Sequence, residues 1–316
     1  MKTIVGKDID FAIQLLKSGE LVAIPTETVY GLAANALDSI AVAKIFEAKN
    51  RPTFNPLIIH LPNFEAVKPY VSNIPDLAVT LANAFSPGPI SFLLPKSSLV
   101  PDIVTAGSEF VVVRIPNHPL TLELLNCVDF PLAAPSANPF GYVSPVNATH
   151  VYEGLSSKIP YILDGGDCSV GLESTIVGFE NNNVIIHRLG GVSVEDIYHC
   201  TGKMPVLSLL HRQPQTPGQL KSHYAPKTPL YLGDVENNLD RFKSEKLAVI
   251  SLKKLYKHQG ESYVLSRSGN LAEAAAQLFT VLREIDNSDS TVILAEKFPD
   301  EGLGKAINDR LERAGS

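Results

Sequence analysis

Five short segments carry the side chains that could do chemistry: PTETVYGL (residues 25–32), KNRP (49–52) with Asn55 and His60 beyond it, FVVVRIP around Arg114, APSANPFGYVSP (134–145), and LESTIV followed by IIHRLG. Each falls where a strand or helix is expected to end, which is where open α/β sheets build their sites. Together they offer positive charge and short hydrogen-bonding groups, a combination suited to phosphate or carboxylate. Each also has an ordinary structural reading. Thr26 and Thr28 can cap backbone groups in a strand-to-helix connection. Lys49 and Arg51 complement a helix C-terminus. Arg114 lies inside an apolar strand, so it must meet an anion, line a cavity or form a structural salt bridge. Ser136, Asn138 and Ser144 sit on a Pro-rich loop, Ser174 and Thr175 open a strand, and Arg188 ends one. By strand alternation His187 faces opposite Arg188 and reads as surface or core rather than catalytic.

Other chemistries lack their residues. None of the eight histidines sits at HExxH or CxxC-like spacing, so no protein-held metal is expected, and Mg2+ would arrive with a nucleotide. There is no GxxxxGK[ST] loop and no GxSxG elbow, which excludes P-loop NTPases and the α/β-hydrolase fold.

The elements that must position these groups can be read from periodicity and caps. Residues 8–17 and 38–51 are expected to be helices, the second capped by Asp38 and ending in KNR before Pro52. Further helices are expected at 76–85, 120–127 and 194–200. Strands are expected at 21–24, 57–61, 91–94, 110–115, 132–134 and 161–163, with 174–179 and 184–189 forming an antiparallel hairpin across Glu180–Asn183. A mixed sheet thus ends near Gly202. Residues 204–228 are rich in Pro, Gly and polar groups and read as a linker. Strands at 230–232, 247–251, 263–265 and 292–295 then alternate with helices at 271–285 and 303–313, a rhythm that predicts a small doubly wound domain with a parallel sheet. It has no GxGxxG fingerprint. The expected organisation is 1–203, a linker at 204–228, and 229–316, each folded part able to bury its own core.

A chain of 316 residues is long for one compact domain, and 45% hydrophobic against 19% charged residues marks it as folded. A formal net charge of −6 argues against stable nucleic-acid binding. The N-terminus lacks the apolar run of a signal peptide and no stretch reaches membrane-spanning length, so the expectation is a soluble, cytoplasmic protein. Cys127, Cys168 and Cys200 are odd in number and widely spaced, and read as small packing residues.

Read together and in order, PTETVYGL, KNRP, the SAN triplet 136–138, ESTIV and HRLG resemble the YrdC-like threonylcarbamoyl-AMP synthases. HYAP (223–226) and the trailing α/β region are similar to their two-domain long form, so the resemblance covers nearly the whole chain. It implies a mixed, twisted YrdC-like sheet with a basic cavity, followed by a small Rossmann-like domain. It also implies condensation of L-threonine, bicarbonate and ATP to threonylcarbamoyl-AMP, for a downstream tRNA threonylcarbamoyl-transferase complex. Carried over by motif, Lys49, Arg51, Ser136 and Asn138 surround the cavity. Thr28, His60, Arg114 and Ser174 match threonine contacts; Arg51, Asn55, Ser136, Ser144, Arg188 and Tyr224 match ATP contacts. The linker reads PGQLKSHYAP, which departs from the family pattern after PG; it is expected to cover the cavity, because the mixed-anhydride product is hydrolytically fragile. Carbamoyl-transfer proteins of hydrogenase maturation share such domains but carry cysteine pairs absent here. An RNA-binding module would need the aromatic-basic interleaving this sequence lacks.

Overall fold

The computed structural model describes residues 2–208, Thr216 and residues 224–315. The chain opens with β1 (Ile4–Gly6), α1 (Ile9–Lys17), β2 (Val22–Ile24), β3 (Gly31–Asn35), α2 (Ser39–Lys49) and β4 (Ile58–His60). Next come α3 (Asp76–Phe85), β5 (Ile90–Pro95), α4 (Asp102–Thr105), β6 (Phe110–Arg114), α5 (Pro119–Cys127) and β7 (Leu132–Ala133). Then follow α6 (Ala148–Leu155), β8 (Tyr161–Leu163), β9 (Thr175–Glu180), β10 (Asn183–Arg188), α7 (Val194–Thr201) and β11 (Val206–Leu207).

Local chemistry sets the helix ends. Asp8 accepts from Phe11 N to start α1, and Asp38 accepts from Ile40 N and Ala41 N to start α2. Asn50 closes α2 in the left-handed conformation (φ 52°), a role asparagine fills with little strain, and so turns the chain into Arg51 and Pro52. Ser193 and Asp196 form a reciprocal capping box at α7.

The strands through β11 form one mixed sheet in the order β1-β8-β2-β3-β7-β4-β6-β5-β9-β10-β11. Its register gathers the site. β4 and β6 run parallel with His60 beside Arg114, and β5 runs antiparallel to β6 with Ser91 beside Arg114. β9 follows β5 in parallel, with Ile90 beside Thr175, and β10 returns antiparallel so that Arg188 lies opposite Ile176. The C-terminal ends of β4, β6 and β10 and the N-terminal ends of β5 and β9 therefore share one edge of the sheet.

Three expectations are corrected. PTETVYGL leads not to a helix but into β3, which pairs antiparallel with β2 from Val22↔Ala33 to Ile24↔Gly31. Gly31 permits this, because a Cβ there would stand 3.2 Å from the Ala134 Cβ. The segment read as linker opens with β11, parallel to β10; of the rest, the PG motif and His223 lie outside the described residues. Cys168 is buried and Cys200 half-buried, but Cys127 is exposed, off the face of α5 that buries Thr121, Leu124 and Leu125.

The C-terminal part comprises β12 (Leu230–Gly233), α8 (Val235–Leu239), β13 (Leu247–Ser251), β14 (Gly260–Val264), α9 (Leu271–Asp286), β15 (Val292–Glu296) and α10 (Gly304–Ala314). Its strands are all parallel in the order β12-β15-β13-β14. Alternation along β13 and β15 sends Ala248, Ile250, Ile293 and Ala295 to one face with α9 and α10, and Leu247, Val249, Val292 and Leu294 to the other with α8. The first face belongs to the same continuous core as the large sheet's helices. No helix among the described residues is long and apolar enough to cross a membrane.

Candidate active site

A cavity opens at the shared sheet edge, lined by Arg51, His60, Arg114, Ser136, Arg188 and Tyr224, with Glu173 and the apolar Val29, Ile58, Ala134 and Pro135. Six of the residues named from sequence therefore meet on one wall. Thr28, Lys49, Asn55, Asn138, Ser144 and Ser174 are buried and are not among the residues that line the cavity.

The arginines are held by backbone and by hydroxyls. Arg51 donates through Nε to Asn55 O (3.2 Å) and through Nη2 to Pro56 O (2.8 Å). Burial, with Arg188 nearby, pulls its pKa down to about 9, so it stays charged at neutral pH. Arg188 donates to Ser174 O through Nε (3.0 Å) and Nη2 (2.8 Å), and Nη2 also reaches Ser174 Oγ (3.0 Å). That hydroxyl lies 2.7 Å from Ser91 Oγ. Arg114 Nη2 stands 2.8 Å from Glu27 Oε1, yet Arg114 Nε and Nη2 make no hydrogen bond among the described residues. The salt bridge and the cavity wall considered for this arginine thus occur together. Glu27 is held in place by accepting from Asn117 N through Oε2 (3.0 Å).

His60 is neutral across the physiological range, because burial and then Arg114 lower its pKa to about 3. Its Nδ1, both side-chain amide atoms of Asn55 and Asn138 Oδ1 have no hydrogen-bond partner among the described residues. Buried polar atoms of this kind are few in folded proteins, and each calls for a reason. His187 packs in the core: it is buried, sits at an irregularity between Ile186 and Arg188, and a Cβ on Gly178 would stand 2.6 Å from its Nε2.

The supporting loops are pinned from outside. Lys49 Nζ donates to Ser136 O (2.5 Å) and, more closely, to Asn138 O, so it fastens the SAN loop to the end of α2. Burial and then Arg51 hold its pKa well below the usual lysine range. Asn138 Nδ2 donates to Pro139 O and Tyr142 O, both at 2.8 Å. Thr26 Oγ1 donates to Val29 O (2.7 Å), the backbone-capping role expected of it, whereas the Thr28 hydroxyl meets Thr26 Oγ1 at 2.8 Å rather than a backbone group. Ser144 Oγ donates to Glu173 Oε1 (2.6 Å).

Sequence reasoning missed the acids Glu27 and Glu173 and the basic residues Arg283 and Arg310. Arg310, on α10, is fully buried and donates to Glu173 Oε2 (2.8 Å). Arg283, on α9, donates to Val143 O (2.6 Å) and lies 4.7 Å over the Tyr142 ring. One signal was present: Ile307, Arg310, Leu311 and Ala314 share the helical spacing of a buried face.

This geometry defines an α/β protein with a basic cavity built at the edge of a mixed sheet and backed, through Arg310 and Glu173, by a second α/β unit. The profile described as telomere recombination (Sua5, YciO, YrdC) matches residues 14–190, and that of the threonylcarbamoyl-AMP synthase C-terminal domain matches residues 192–316. The chain belongs to the Sua5/YciO/YrdC family, in its two-domain form. It is 38% identical to the threonylcarbamoyl-AMP synthase of Pyrococcus abyssi over 97% of this chain and 93% of that one. It is also 38% identical to the Bacillus subtilis enzyme of that name, over 96% and 91%. The crystal structure of P. abyssi Sua5 complexed with L-threonine superposes with a TM-score of 0.93 at 37% identity, covering 100% of this chain and 98% of that one.

Proposed function

We infer that this chain is an L-threonylcarbamoyladenylate synthase, a nucleotidyltransferase that condenses L-threonine, bicarbonate and ATP to threonylcarbamoyl-AMP and pyrophosphate. The observation that carries this is the full-length match to a relative whose solved structure holds L-threonine. The threonine amine adds to bicarbonate and water leaves, giving a carbamate. A carbamate oxygen then attacks the α-phosphorus of ATP, the bond to the bridging oxygen breaks, and pyrophosphate departs. Charge develops only on oxygens, so orientation and fixed positive charge suffice and no covalent nucleophile is needed.

Arg114, preset by the ion pair of its Nη2 with Glu27, is assigned the threonine carboxylate, which its Nε is left to meet. Thr28, neutral His60 and Ser174 complete that half. Arg51, Asn55, Ser136, Ser144, Arg188 and Tyr224 are assigned the ATP half. Mg2+ is assigned to ATP as its phosphate complex, the usual way this ion enters a nucleotide site. Glu27 and Glu173 are already paired with Arg114 and Arg310. The product is a reactive anhydride, consumed in the cytoplasm by a transferase complex acting on the adenosine beside the tRNA anticodon.

The test is pyrophosphate release from MgATP with threonine and bicarbonate each present or omitted, with the product mass checked. Release that requires both substrates is expected. Release indifferent to threonine, or none, would overturn the assignment.

A further inference from the structure

The geometry points to Arg310, supplied by the C-terminal domain, as a positioning residue for the nucleotide: it masks the negative charge of Glu173 at the cavity wall and fixes the groups assigned to ATP. The inference rests on the synthase reading and gives the C-terminal domain a part in it.

Glu173 is the one carboxylate among the described residues lining the cavity. An acid there opposes a polyanionic substrate unless its charge is matched. Both its oxygens are engaged: Oε1 accepts from Ser144 Oγ at 2.6 Å and Oε2 from Arg310 Nε at 2.8 Å. Burial pushes the carboxyl pKa up, but Arg310 and then Arg188 outweigh it and hold the group below its usual range. Glu173 is therefore ionised, and its partner matters.

Arg310 reaches further than its ion pair. Its Nη2 donates to Leu189 O (2.8 Å), the carbonyl directly after Arg188, and so fixes the backbone that carries that arginine. Its guanidinium lies 4.8 Å over the ring of Tyr224, whose ring centroid also lies 5.7 Å from that of Phe279 on α9. Asp309 accepts from Nη1 at 2.6 Å and orients the fork. One fully buried side chain thus touches Glu173, the Leu189 carbonyl next to Arg188, and Tyr224, and reaches Ser144 through Glu173. A buried ion pair is seldom the most stabilising way to join two domains, since well-packed apolar residues do as well or better. Its placement at the wall of an anion site is the more telling feature.

The full-length protein, its fold checked by circular dichroism, provides the test, with KM for ATP and for threonine measured by pyrophosphate release. Arg310→Met is expected to raise the ATP KM about 10- to 100-fold, the scale of one unmasked buried charge, and the threonine KM less than about threefold. Adding Glu173→Gln to Arg310→Met removes the unmasked charge and is expected to restore the ATP KM to within about threefold of wild type. Equal rises in both KM values, no rise, or no rescue by Glu173→Gln would overturn the inference. Should Arg310→Met fail to fold, Arg310→Lys carries the test. It keeps the charge but not the hydrogen bond to Leu189, and a rise in the ATP KM alone of about three- to tenfold is expected; no rise, or a rise shared with threonine, would count against it. A wild-type protein that releases no pyrophosphate would refute the synthase reading instead.

Discussion

A buried arginine must find an anion, and Arg114 has one in Glu27 while keeping its Nε for a second. The permanent partner offsets the cost of burying the guanidinium and fixes its plane, so that a substrate carboxylate meets a preset fork. Arg114→Ala is accordingly expected to raise the threonine KM far more than the ATP KM, by the equivalent of about 2 to 5 kcal/mol for one buried, charged hydrogen-bonded contact. Initial rates at varied threonine and ATP decide it, and equal losses would remove Arg114 from the threonine half. At this scale the sequence shows the need but not the partner. Lys49, Arg51, Arg114 and Arg188 stand out because each sits where a strand or helix ends. Their acids do not, because the pairing is set by the fold: Glu173 and Arg310 are 137 residues apart.

Elements decide which of these charges face substrate. Lys49 falls on the last turn of α2, and its ammonium reaches the carbonyls of Ser136 and Asn138 rather than the cavity wall. Its effect on catalysis is then carried by the SAN loop. Lys49→Met is expected to lower stability by about 2 to 4 kcal/mol, because the Ser136 and Asn138 carbonyls lose their donor. It should also raise the KM for ATP and for threonine together. Denaturant midpoints and initial rates measure both, and unchanged stability with a loss confined to ATP would put the lysine on the phosphates instead. The helices around this loop were legible in caps and period, as Asp38 and Asn50 show for α2. β3 was not: GLAAN is mostly glycine and alanine, whose weak strand preference is overridden here by pairing with β2 on one side and β7 on the other. α6 was missed because its Asn147 cap follows a Pro-rich loop that masks the start of the period.

Across the whole molecule the two α/β units share a core, and this makes the second unit a part of the site. α9 brings Phe279 against Tyr224 and Arg283 against the backbone of Val143, while α10 brings Arg310 against Glu173. Backbone meets backbone closely at Gly171. Its φ of +72° lies in the left-handed region, and a Cβ there would stand 2.5 Å from Ala276 Cα and 2.7 Å from Ala275 O on α9. Only glycine satisfies both conditions without moving one unit from the other. The full chain is expected to unfold in one calorimetric transition, because a continuous core leaves no boundary at which either unit can melt alone. Gly171→Val, which adds both backbone strain and overlap costing on the order of 2 to 4 kcal/mol, is expected to lower Tm or to split that transition in two. If docking of α9 and α10 is what completes the ATP half of the cavity, the same variant should raise the ATP KM while the threonine KM stays near wild type, since Arg114, Glu27 and His60 all lie on the first unit. Two transitions in the wild-type protein, or a Gly171→Val protein that melts and turns over unchanged, would show that the contact between the units supports neither the fold nor the site.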